Sequence, residues 1–271
     1  MASRRLPIVL AAGLALAVPA AAQTADGRVL VPIFVRDPLP GTFGSSWITD
    51  SWITNTGSGA VEVFGVAWTC FIPECGFLPA TVDPGVTFQP RYLAEEQGSR
   101  GLFLYPNATG AEQLHFALRF RDLSRQSTTW GTELPVVRER EFRSGPLSLI
   151  DIPRTPGFRQ VLRIYDLDGV EREALVRVRT YRLDPEHHEP FDPPDSLLGE
   201  TVLPLQFAEP LGLVIYHPGY AMVADLSLLT PLGDAERLRI EIEPATPGLK
   251  LWAFLTVIHN ETQHATVITP Q

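Results

Sequence analysis

The densest group of side chains able to hold a metal or move a proton is Asp184-Pro-Glu186-His187-His188-Glu189-Pro-Phe-Asp192-Pro-Pro-Asp195. Imidazole nitrogens and carboxylate oxygens in one short span suit zinc or another divalent ion. The spacing fits no closed site. There is no H-E-x-x-H, and adjacent histidines point to opposite sides of an extended chain. The interleaved prolines predict a stiff, solvated loop. His188 with Glu186 is the pair expected to bind if an ion does, and the loop is the first candidate for a binding surface.

A second acidic stretch, Asp166-Leu-Asp168-Gly169-Val-Glu171, opens like a calcium loop but has Arg177 where the bidentate glutamate belongs. A hairpin turn explains its Asp-Gly equally well. Cys70 and Cys75, separated by Phe-Ile-Pro-Glu, predict a local disulfide. They lack the C-x-x-C spacing and the nearby cation of a redox pair.

Nucleophilic catalysis finds little support. No G-x-S-x-G elbow, S-x-x-K pair or glycine-rich phosphate loop is present, and no cofactor is expected. Acidic residues are too numerous for any pair to signal glycoside hydrolysis. Sugar stacking is more tenable. Trp47 and Trp52 are five apart in an apparent strand and so face opposite ways, one inward and one outward. Trp130, beside Gly131, can present its ring from a turn.

These residues must be carried by strands. Leu114–Arg121, Ala174–Tyr181 and Leu238–Glu243 alternate apolar and polar residues, the mark of antiparallel strands with one wet face. Turn signals punctuate them, among them Pro40-Gly41, Asn55-Thr56-Gly57, Asp83-Pro84-Gly85 and Pro247-Gly248. Helix is expected only as single turns near Leu93–Glu95 and Asp234–Glu236. The chain reads as all-β: two tandem antiparallel sandwiches spanning residues 23–144 and 145–271, with a single larger sandwich as the alternative.

Duplication supports that division. Trp47–Asn55 aligns with Phe158–Asp166 at an offset of 111, and Gly101–Tyr105 aligns with Gly212–Tyr216 at the same offset. The pieces Gly44-Ser-Ser-Trp47-Ile-Thr-Asp50, Trp130-Gly-Thr-Glu-Leu-Pro-Val-Val137 and Trp252–Thr262 resemble a loose group of uncharacterised exported proteins from GC-rich bacteria. The resemblance implies tandem immunoglobulin-like sandwiches and brings no activity or catalytic residues. The sequons Asn107-Ala-Thr109 and Asn260-Glu-Thr262 are then expected to go unused.

The first 22 residues read as a cleavable export signal, with Arg4 and Arg5 preceding an apolar run from Leu6 to Val18 and Ala20-Ala-Ala before the cut at Gln23. That run would span about 20 Å as a helix, too short for a ~30 Å hydrocarbon core, so no membrane anchor is expected. Loss of the two arginines takes the net charge from −9 to −11. Nucleic acid is thereby a poor partner, and anionic membrane a poor surface. The expected role is non-catalytic, in the periplasm or medium: binding, adhesion or structure, with protein or carbohydrate of the envelope as partner. A secreted hydrolase of carbohydrate or ester is the competing expectation.

Overall fold

The computed structural model describes residues 27–35, 37–71, 74–90, 100–107, 110–126, 130–168, 173–183, 196–207 and 217–271, with backbone alone over 66–79. Among these the chain is all-β, with short 3-10 turns and no α-helix. The expected helical turn at Asp234–Glu236 is an ordinary turn, and Leu93–Glu95 lies outside the described residues.

In chain order the first strands are β1 (Val29–Val31), β2 (Leu39–Pro40), β3 (Ser46–Asn55), β4 (Val61–Phe71) and β5 (Glu74–Val82). After them come β6 (Thr87–Phe88), β7 (Leu102–Pro106), β8 (Leu114–Asp122), β9 (Thr132–Glu133) and β10 (Val137–Arg138). The later strands are β11 (Leu147–Pro153), β12 (Phe158–Asp166), β13 (Leu175–Arg182) and β14 (Ser196–Pro204). The last are β15 (Gly219–Val223), β16 (Arg237–Pro244), β17 (Leu251–His259) and β18 (Ala265–Ile268).

The three alternating segments of the sequence form β8, β13 and β16, each with inward residues buried at every second position. All strand pairs are antiparallel and make four sheets. One runs β10-β1-β7-β4-β5, and a second runs β2-β3-β8-β9 with β6 also on β3. The later strands give β11-β16-β13-β14 and β15-β12-β17-β18.

The two pairs of sheets follow one strand order. Setting aside β2 and β10, β1-β7-β4-β5 corresponds to β11-β16-β13-β14, and β6-β3-β8-β9 to β15-β12-β17-β18. Within each set the second strand pairs with the fifth and the third with the sixth, while the first joins the sixth and the seventh joins the second.

This order places β3 in register with β12, so the 47–55/158–166 match falls on equivalent strands. Of the second match, Gly101–Tyr105 runs into β7, and Gly212–Tyr216 lies outside the described residues.

The β15-β12-β17-β18 sheet is buried on both sides. Leu251, Ala253, Leu255 and Val257 of β17 enter one apolar cluster with β11, β13 and β16. Trp252, Phe254 and Ile258 enter another with β1, β3, β7 and β8. A strand buried on both faces reads as a nearly continuous apolar run, and 251–258 is apolar apart from Thr256. The chain passes between the two sets of sheets near Phe142–Pro146, but apolar packing continues across that point.

Gly101 shows how close the seam is. It has φ +79°, and a Cβ there would lie 2.9 Å from Leu30 and 3.1 Å from the Tyr165 ring. Arg28 also crosses the seam, donating to the Leu167 carbonyl at 2.9 Å while pairing with Glu139 at 2.8 Å.

Candidate ligand-binding face

Alternation along β3 turns Trp47, Thr49, Ser51, Ile53 and Asn55 inward and leaves Ile48, Asp50, Trp52 and Thr54 on the other side. Trp47 is 7% exposed and stacks on Phe120, with centroids 4.1 Å apart and planes at 6°. It is core, and its expected role in ligand stacking is withdrawn. Trp52 is 46% exposed and lies opposite Ala117, whose small side chain leaves the indole standing clear. Trp130 is 81% exposed, with the Arg119 guanidinium 5.6 Å from its ring centre.

β8 supplies the rest of the face: His115, Ala117, Arg119 and Arg121 alternate with buried Leu114, Leu118 and Phe120. Asp50 lies opposite Arg119 and accepts from Arg121 Nε at 3.0 Å, while Glu133 on β9 flanks Arg119 from the other side. The charges are therefore balanced around the two indoles. At the His115 end, where the chain leaves β9 to join β1, a cavity of about 210 Å³ opens. Its wall is mainly polar surface, with His115, Glu133 and Arg138 among the residues that line it. Arg138 is already committed, donating to the carbonyls of Ala111 and Leu114.

Buried Asp122 fixes the far end of the face. Its Oδ1 accepts from the Ser46 amide at 2.6 Å and its Oδ2 from Arg125 at 3.1 Å, with Ser124 bonding to both oxygens. Burial pushes its pKa up, but the bonds from Ser46, Ser124 and Arg125 outweigh burial and hold it below the usual carboxylate range.

The other expected sites fare differently. His188 and Glu186 lie outside the described residues. Among the described residues no three His, Cys, Asp or Glu side chains converge to hold an ion. Asp166 accepts from the Lys250 amide at 3.1 Å, and Asp168 pairs with Arg28 at 3.5 Å, so both brace the chain. Cys70 and Cys75 stand opposite each other in the β4–β5 register, with their side chains outside the described set. His115, Arg119, Arg121 and Glu133 were not singled out from the sequence. Their alternation marks a common face, but which strands flank β8 is a long-range fact.

Equivalent positions on β12 and β17 make the face unusual. Asp50, Trp52 and Thr54 correspond to Val161, Arg163 and Tyr165. By strand register, His115 and Ala117 correspond to Trp252 and Phe254. The later face is aromatic and covered by β1 and its neighbours, whereas the earlier one is polar, charge-balanced and open, with Trp52 at its centre. Compared with known proteins, the chain matches no protein-family model, no curated protein and no solved structure.

Proposed function

We propose that this protein is an exported, non-catalytic binding module that holds carbohydrate on the outer face of β3, β8 and β9. The observation that carries this reading is Trp52. A large apolar ring at 46% exposure on an otherwise polar face loses the benefit of burial. Indole faces stack on the apolar side of a pyranose ring, and Asp50, Arg119, Arg121 and Glu133 around them offer the donors and acceptors that hydroxyl groups need. Balanced charge favours neutral sugars over polyanions.

Export, a Cys70–Cys75 disulfide and descent from a duplicated β-unit belong to the same reading. The opposed cysteines and the shared strand order support the last two.

The test is a glycan array followed by calorimetric titration of the best binder. Wild type should bind, Trp52→Ala and Trp130→Ala should each weaken binding by tenfold or more, and Trp52→Phe should retain part of the affinity. A protein that binds no glycan, or whose affinity ignores both tryptophans, would overturn the proposal.

A further inference from the structure

Arg163, the counterpart of Trp52, is the only buried basic side chain among the described residues, at 8% exposure. It projects from β12 toward the seam, between the rows that feed the other cluster. Its Nη1 donates to the Thr256 hydroxyl at 3.1 Å, and its guanidinium lies 5.5 Å from the Phe254 ring centre. No carboxylate among the described residues comes within ion-pair distance of it. Its Nε is buried and donates to nothing.

Burying a guanidinium without a counter-charge costs several kcal/mol, and this protein avoids that cost elsewhere. Arg28, also in the seam, has Glu139 on two of its nitrogens at 3.0 and 2.8 Å. The two contacts of Arg163 hold the group in place without neutralising it. Thr256 holds Nη1, Phe254 lies beside the group, and no described residue accepts from Nε or Nη2. The Nε–Nη2 edge presents two parallel N–H groups, the fork that pairs two-pronged with carboxylate, sulfate or phosphate. Met222, directly across the ladder on β15, is 48% exposed, so the seam reaches solvent beside Arg163.

We propose that Arg163 is the core of an oxyanion-binding site in the seam, entered from the β15 edge, with Thr256 as its positioning residue. The ligand is a compact oxyanion, free or as the acidic group of a larger molecule. It is separate from the face bearing Trp52 and does not rest on the carbohydrate reading.

Inorganic sulfate is the first probe, replacing chloride at constant ionic strength, with acetate and N-acetylneuraminic acid as carboxylate arms. Thermal unfolding of the full chain should show a saturable rise in midpoint for wild type, in contrast to the non-saturating effect of sulfate exclusion. The arginine Nε–H resonances should show one signal moving with the same saturation curve. Arg163→Met should keep the fold and lose both responses. Arg163→Lys, which keeps charge without the fork, should bind at least tenfold more weakly and carries the test if the methionine variant does not fold. Acetate and N-acetylneuraminic acid separate a free anion from an acidic sugar by which saturates at lower concentration. A wild-type response that is linear throughout, or identical in the Arg163 variants, would overturn the site.

Discussion

The Tyr165 hydroxyl donates to the Pro32 carbonyl at 2.7 Å, joining β12 to the chain just after β1 across 133 residues of sequence. Both groups are buried, and burial pushes the phenol pKa well above its ordinary value. The bond is thus a fixture of the seam between the two sets of sheets. Removing the donor leaves a buried carbonyl unsatisfied, at a cost of about 1–3 kcal/mol. Tyr165→Phe should lower the urea midpoint accordingly with an unchanged m-value. A midpoint equal to wild type would show that the carbonyl finds another donor.

The same seam predicts that the two sets of sheets unfold together. Residues 145–271 alone would expose Tyr165, Tyr220, Trp252, Phe254 and Ile258, all buried in the whole chain against β1 and its neighbours. The aromatic residues bury roughly 150–250 Å² each. Heating the full chain should give one transition by both near- and far-UV dichroism. The isolated segment should bind a hydrophobic dye or self-associate. A soluble, monomeric 145–271 with fixed near-UV signal would refute this coupling.

How far this was legible in the sequence depends on the range of the interaction. Alternation is local, so Leu114–Arg121 and Leu238–Glu243 announced β8 and β16 and their wet faces. The run Leu251–Ile258, apolar but for Thr256, fits burial on both sides and does not tell what covers each. That depends on which strand lies beside β17 and which face of β12 meets Pro32, contacts separated by more than 100 residues. Trp47 and Trp52 illustrate the limit. Their five-residue spacing fixed opposite faces, and only the position of Phe120 decides which is core.

That pair yields a contrast measurable by stability alone. Trp47→Ala removes a stacked ring from the core and should cost about 3–5 kcal/mol. Trp52→Ala, on the open face, should fall within about 1 kcal/mol of wild type. Denaturant titration of both variants gives the answer, and a Trp52→Ala loss comparable to that of Trp47→Ala would mean the outer indole has a structural role.

Cys70 is paired with Cys75 in the antiparallel β4–β5 register, and directly opposed residues in such a ladder have Cα atoms about 4.5–5.5 Å apart, within the range a disulfide spans. Protein from an oxidising compartment should show no thiol titre under denaturing conditions. Cys70→Ser should then cost about 2 kcal/mol through the unfolded chain. Two free thiols in that sample would contradict the pairing.

Acid should loosen the β3–β8 face through Asp122. Its pKa in the folded protein lies below the value near 3.9 expected for the unfolded chain. The unfolded state therefore takes up its proton first as pH falls. The stability Asp122 contributes is fully present above about pH 5, declines below pH 4, and is gone once the pH passes its folded value. Asp122→Asn keeps the shape but loses the charge facing Arg125 and one acceptor oxygen shared by the Ser46 amide and Ser124. It should be less stable than wild type at pH 7 by about 1–3 kcal/mol. Its stability should also vary less between pH 5 and 2, so the two curves approach each other as acid is added. Urea midpoints taken across that range test both statements. Parallel curves would show that the bonds from Ser46 and Arg125 do not depend on the carboxylate charge.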